Sequence, residues 1–403
     1  MEARLPAASI GDGVCINSRH GSTYGSIISV ARDIVCIALA GPNAGIAPGD
    51  LVRRDLAATR APLGPSALGR AFNAAGNAID GKKYQFVRRA LRLQAPSPQY
   101  RRAVQQPLWT GICAIDALLT IGRGARIGVF GAPGTGKSSL LLSLMRDART
   151  DAVVIGLVGE RGREAEEWIA ALPDYATIFC ATSDRSAAER VSAARAAMAQ
   201  AAELRTRGLN VLLILDSLAR YAAAHREIAV AAAERVGRGG YPPRVFSELA
   251  AFTEIAGSCE NGSITLVATI LTDGDDRDPV SEAARALLDG HVQLSTELAS
   301  AGKFPAIDIL GSVSRTMNAV IIDSHRHDAT MLREAIAELH RTREARAVGI
   351  MPAGDSTLRA VALEDRIDAF LYNPAGQDPG KTLSQLHDLA EALGEPEWNF
   401  QTA

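Results

Sequence analysis

The chain has 403 residues, 47% of them apolar and 22% charged, with a formal net charge of -2. It is long enough for two or three domains with sizeable cores, and it lacks the basic excess of a dedicated nucleic-acid binder, so no nucleic-acid partner is expected. Five cysteines, none in a C-x-x-C pair, argue against a disulfide framework or a zinc site and for a reducing cytosol.

The first residues, Met1-Glu2-Ala3-Arg4, lack a signal pattern. Apolar stretches such as Ile264–Leu271 fall well short of the ~20 residues that span a bilayer, so a soluble protein is expected, reaching any membrane through partners. Residues 1–85 read as short strands, with β-branched runs at Ser26–Val30 and Ile34–Ala38 and turn signals at Gly41-Pro42-Asn43 and Pro48-Gly49-Asp50. Residues 86–108, with Pro96-Ser97-Pro98 and Pro107, read as a linker. From Gly111, strand candidates Arg126–Phe130, Ala152–Val158, Thr177–Ala181, Val211–Leu215, Ile264–Thr269 and Val292–Leu294 alternate with helix-like segments. One Ala-rich helix opens on a capping box, Ser186 with Glu189, and stops at Gly208. The alternation predicts a mostly parallel sheet with helices on both faces. After about Met317, three helices are expected: Ala329–Ala347, Ser356–Leu371 and Thr382–Leu393, with polar loops at Gly349–Asp355 and Asn373–Gly380.

The strongest motif is Gly131-Ala132-Pro133-Gly134-Thr135-Gly136-Lys137-Ser138, which fits G-x-x-x-x-G-K-[ST] between a strand and a helix, Ser139–Ala148. Backbone N–H groups from Gly131 to Ser139 would cradle phosphates. Lys137 would neutralise the β/γ-phosphates of ATP, and the Ser138 hydroxyl would ligate Mg²⁺. Gly380-Lys381-Thr382 is a decoy: Ala375 stands where the first glycine is needed, and no strand precedes it. Asp216 ends the apolar run Val211–Leu215 and would hold Mg²⁺ through water, although such a residue is also a common helix N-cap. Glu160, in Gly159-Glu160-Arg161-Gly162-Arg163-Glu164, follows a strand and could activate water, with Arg161 near the γ-phosphoryl. Spacing alone favours a solvated charge cluster there, and it makes Arg315 a surface or salt-bridge arginine.

Several stretches together look like the rotary-type hexameric ATPases, which include the catalytic subunits of F- and V-type ATP synthases. They are Gly159–Glu164, Asp216-Ser217-Leu218-Ala219-Arg220-Tyr221, Arg226-Glu227-Ile228-Ala229, Gly240-Tyr241-Pro242-Pro243, Leu288-Asp289-Gly290-His291, Pro305-Ala306-Ile307-Asp308 and Ser312-Val313-Ser314-Arg315. Within that group the chain most resembles the type III secretion ATPases of injectisomes and flagellar export. The resemblance implies an α/β fold in which a RecA-like P-loop core (residues 86–318) lies between a truncated N-terminal β-barrel (1–85) and a C-terminal helical domain (319–403). It implies that Glu160 is the catalytic carboxylate, that Arg161 and Arg220 lie around the γ-phosphate, and that Arg315 is an arginine finger for the neighbouring subunit. Phe304, where the family usually has tyrosine, would stack on adenine; an ordinary core aromatic is the alternative.

The implied partners are other copies in a homohexamer, stalk and stator proteins, chaperone–substrate complexes and the export gate, with the protein cytoplasmic and peripheral at the inner-membrane face. Only the second half of the family's barrel is recognisable, from about Gly11 to Asp50. The expectation is that the barrel is open, that its first strands are replaced, or that the chain is an incomplete or decaying copy. The P-loop interior Ala-Pro-Gly-Thr departs from the family's usual residues, and Asp275–Pro279 is one residue short. Three rivals stand beside this reading. A Rho-like RNA translocase needs exposed aromatics, but residues 1–85 hold only Tyr24, Phe72 and Tyr84. A proton-driven ATP synthase subunit and a catalytically impaired scaffold are the others. The complete set of Lys137, Ser138, Glu160, Asp216 and Arg315 disfavours the scaffold.

Overall fold

The computed structural model describes residues 1–41, 45–83, 87–272, 278–350, 353–373 and 376–394. Pro42-Asn43, Tyr84, the loop Asp275–Arg277 and parts of the polar loops Gly349–Asp355 and Asn373–Gly380 lie outside the described residues. The chain divides into two compact units, Met1–Arg102 with Thr150–Leu288, and Ala103–Arg149 with Asp289–Ala403.

The first unit opens with a five-stranded antiparallel sheet: β1 (Glu2–Arg4), β2 (Gly13–Ser18), β3 (Gly21–Ala31), β4 (Ile34–Ala40) and β5 (Leu51–Arg54), in the order β1-β4-β3-β2-β5. Alternation sends Val14, Ile16, Ile27, Val35 and Ile37 to one apolar face. Among the described residues no ladder joins β1 to β5, so this barrel-like sheet is open. The unit's second sheet is parallel, in the order Gly262–Leu271, Asn210–Asp216, Ala152–Val158, Ala176–Ala181, Arg70–Asn73. All seven residues of Ala152–Val158 are buried, as a strand covered on both faces requires. Helix Ala187–Thr206 carries the expected capping box, a feature that contributes about 1 kcal/mol. Its small residues let it lie close to the sheet: a Cβ on Gly156 would fall 3.2 Å from the Ala197 Cβ.

The second unit pairs Arg126–Gly131 parallel with Gly290–Leu294, which pairs antiparallel with Ile307–Ser314. Its helices include Cys113–Leu118, Lys137–Asp147, Asp323–Ala347, Asp355–Ala362, Glu364–Leu371 and Pro379–Gly394. The long helix is tied to the last by His387 Nδ1, 3.0 Å from Asp328 Oδ2.

Three details differ from the sequence reading. The single helix expected over Ser356–Leu371 is two, broken at Leu363, whose N–H bonds both Arg359 O and Ala360 O. Glu364 and Asp365 then favour a new helix N-terminus. The expected linker is partly ordered: Arg88–Ala90 pairs with Arg60–Pro62, and Pro107–Leu108 with Ile121–Gly122. Arg70–Asn73, four residues within the first 85, joins the parallel sheet beside Ala176–Ala181. No helix among the described residues is long and apolar enough to cross a membrane.

Candidate active site

The two units carry different functional groups. In the second unit the P-loop leaves strand Arg126–Gly131 and enters helix Lys137–Asp147. Gly131 must be glycine, because a Cβ there would lie 2.7 Å from Thr135 Oγ1 and 3.0 Å from Leu294 Cβ. Gly136 is the N-cap in a left-handed conformation (φ 86°), and among the described residues no side chain caps this helix end. Its first N–H groups and the positive end of its dipole are thus left for an anion. Thr135 Oγ1 bonds Ala132 O at 2.8 Å. The Lys137 ammonium folds back on the loop, donating to Gly131 O (2.8 Å) and Ala132 O (2.6 Å). Ser138 is half-buried, and Ser139 is exposed beside it.

Next to the loop lies a cavity of about 320 Å³, lined by Thr135, Gly136, Ser139, Ser143, Ile112, Leu140, Leu294, Phe304, Pro305, Ala306 and Asn373. Phe304 is half-exposed, and its ring would lie 3.1 Å from a Cβ on Gly136. Phe304 is therefore a pocket wall and not a core aromatic. Asn373 follows helix Glu364–Leu371; nothing in the sequence singles it out, because an asparagine after a helix reads as a cap. The decoy Lys381-Thr382 lies in the first turn of helix Pro379–Gly394, where Thr382 is buried, so it forms no phosphate loop. Arg315 lies just beyond strand Ile307–Ser314. Its N–H bonds Asp289 O at 3.0 Å, while its side chain is exposed and has no partner among the described residues.

In the first unit Glu160 and Asp216 are both buried, at 5% and 6% exposure, at the C-terminal ends of parallel strands. The charge-cluster reading does not hold for Glu160: it faces inward. Gly159 makes the turn with φ 73°, and a Cβ there would crowd Arg220 Cδ at 3.1 Å. The Arg220 guanidinium forms an ion pair with Glu160 and donates to Gly159 O at 2.7 Å. Burial pushes the Glu160 carboxyl up to about 8, the charge of Asp216 adds to the rise, and Arg220 opposes it.

Asp216 accepts from Thr269 Oγ1 at 2.5 Å. Thr269 escaped the sequence reading as a functional residue. The register that pairs Leu215 with Ala268 places it next to Asp216, and a polar residue ending a neighbouring strand was the available signal. The helix N-cap after this strand is Ser217, not Asp216. Arg161 is exposed and heads helix Gly162–Ala170.

The model of the ATP synthase alpha/beta family, nucleotide-binding domain, matches residues 111–314. A type 3 secretion system ATPase of Xanthomonas euvesicatoria is 38% identical over 387 residues, covering 92% of this chain and 86% of the relative. The chain belongs to the type III secretion ATPase family.

A flagellum-specific ATP synthase of Salmonella typhimurium is 42% identical over 322 residues, with 77% of this chain and 71% of the relative covered. Among solved structures, the assembled ATPase EscN of the enteropathogenic E. coli type III secretion system superposes with a TM-score of 0.90 at 34% identity, covering 96% of this chain and 97% of that one. EscN in complex with its central stalk EscO gives a TM-score of 0.87 at the same identity and coverage. The chain is accordingly a nucleotide-binding ATPase of the protein-export class with a RecA-like core, as the resemblance implied.

Proposed function

We propose that this ATPase works as a homohexamer, hydrolysing ATP to unfold export substrates and release them from chaperones at a type III secretion apparatus. The observation that carries the reading is the buried Glu160, paired with Arg220 at the end of a parallel strand, in a family member with a complete P-loop. In the mechanism, water attacks the γ-phosphorus in line. Glu160 orients it and accepts its proton, the Lys137 ammonium and the loop N–H groups hold the phosphates, and Arg161 and Arg220 balance γ-phosphoryl charge. Arg315, exposed and unpaired among the described residues, reaches the site of a neighbouring subunit. Phe304 stacks on the base.

The donor set fits magnesium. The Ser138 hydroxyl has no hydrogen-bond partner among the described residues, and the Asp216 carboxylate is set by Thr269. No group of three or more acidic, His or Cys side chains could hold a metal unaided among the described residues, which suits an ion carried on substrate phosphates. When bound, magnesium would supply charge neutralisation between the phosphate oxygens. Residues 1–85, 86–318 and 319–403 are proposed as the assembly, ATPase and partner-binding regions. EscN assembles and binds a central stalk; the same arrangement is proposed here, with stator, chaperone–substrate complexes and export gate as further partners, at the cytoplasmic face of the inner membrane.

The test is hydrolysis per subunit against protein concentration with Mg²⁺ present. A steep rise, and rescue of Arg315→Ala by admixed Lys137→Ala subunits, is expected for sites completed between subunits. A rate per subunit that is flat with concentration would sink the shared-site reading. Nucleotide binding without hydrolysis at any concentration would favour a scaffold, which the open N-terminal sheet would suit.

A further inference from the structure

We propose that Asn373 reads the Watson–Crick edge of the purine and sets the base preference of this ATPase. The proposal rests on the reading of the Phe304 cavity as the base pocket. None of the described side chains lining that cavity is charged, so it suits the neutral base. The lining runs along helix Lys137–Asp147 as far as Ser143. At 1.5 Å per residue that is about 9 Å beyond Lys137, away from the phosphate end. The volume of about 320 Å³ falls within the usual range for ligand pockets.

Most of the wall is apolar, and Thr135 is committed to Ala132 O. Among the described lining residues Asn373 alone carries a side-chain donor and acceptor in a single plane, and its carboxamide has no hydrogen-bond partner among the described residues. Adenine offers an N6 amino donor beside the N1 acceptor. Guanine offers the reverse, an O6 acceptor beside the N1–H donor. A carboxamide turned over by a half rotation matches either edge, so the native site accepts both purines. A carboxylate can only accept. It fits the N1–H and N2 amino donors of guanine and faces the N1 lone pair of adenine.

The experiment measures initial rates of the full chain with Mg²⁺ on ATP and GTP for wild type, Asn373→Asp, Asn373→Leu and Phe304→Ala. Wild type is expected to use GTP within about tenfold of ATP. Asn373→Asp should shift the ATP:GTP ratio of kcat/KM by about 100-fold towards GTP, chiefly through KM, as expected when one bidentate pair changes partner. Asn373→Leu should raise KM for both purines by about tenfold with kcat within twofold, a split that a general folding defect would not produce. If Phe304→Ala raises KM while Asn373→Asp leaves the ratio within threefold of wild type, the Asn373 assignment is wrong and the base pocket stands. If Phe304→Ala also leaves KM unchanged, the cavity does not hold the base, and both readings fall.

Discussion

Asp116 and Glu160 are both buried carboxylates, 0% and 5% exposed, in different surroundings. Asp116, in helix Cys113–Leu118 of the second unit, accepts from Thr110 N (2.8 Å), Thr110 Oγ1 (2.7 Å) and Gly111 N (2.9 Å). Burial outweighs those donors and raises its carboxyl only to about 6, so at neutral pH it is mostly charged and ties the chain before the helix. Glu160 has a second carboxylate, Asp216, as a neighbour and is pushed up to about 8. Burial is thus common to both. The like charge beside Glu160 suits it to the proposed role of proton acceptor, because a carboxyl held near the working pH can exchange a proton with water.

The largest expected effect that sharpens this contrast comes from Arg220→Ala. It removes the cation that holds Glu160 and, in the proposed mechanism, γ-phosphoryl charge, so kcat should fall about 10²- to 10³-fold, read by phosphate release. Asp116→Ala should instead cost about 1–3 kcal/mol of stability in a denaturant melt while leaving kcat per folded subunit near wild type. A loss of kcat as large as that of Arg220→Ala would break the comparison.

Next is pH. Glu160 must be ionised to accept a proton, so kcat/KM should climb close to tenfold per unit up to about pH 8 and then level off. The stability linkage has the other sign. Both folded-state values lie above the ordinary 3.8 and 4.5, so the stability each protonated carboxyl contributes is full below those values. It is lost as pH rises to about 6 for Asp116 and about 8 for Glu160. Melts of Glu160→Gln should therefore lose the upper part of that pH dependence. The smallest effect is Phe304→Ala, which should raise KM for ATP roughly fivefold, from one lost aromatic contact of about 1 kcal/mol.

Much of this was legible in the chain. The P-loop, Asp216 and the strand before Glu160 follow from apolar runs that end in glycine or a carboxylate, because a buried parallel strand leaves a continuous apolar signature. The capping box at Ser186 and Glu189 was read in full. What stayed hidden depends on three-dimensional closure. Arg220 lies 60 positions after Glu160; the resemblance named both, but their ion pair is seen only in the fold. Arg70–Asn73 is too short and too close to glycine to announce a strand in the parallel sheet. Arg315 could be assigned only by resemblance, because its proposed role involves a group outside its own subunit. Asn373 carries no pattern at all; it is proposed from its place in the cavity and from an amide without a partner among the described residues.

The central claim is that Glu160 does the chemistry while the P-loop does the binding. It is tested most directly by measuring MgATP affinity and single-turnover hydrolysis on the same preparations of wild type and Glu160→Gln from pH 6 to 9. The account predicts an affinity within about threefold of wild type, hydrolysis reduced about 10²- to 10⁴-fold, and a rate that no longer rises towards pH 8. Hydrolysis within a few-fold of wild type, with the same rise, would contradict it.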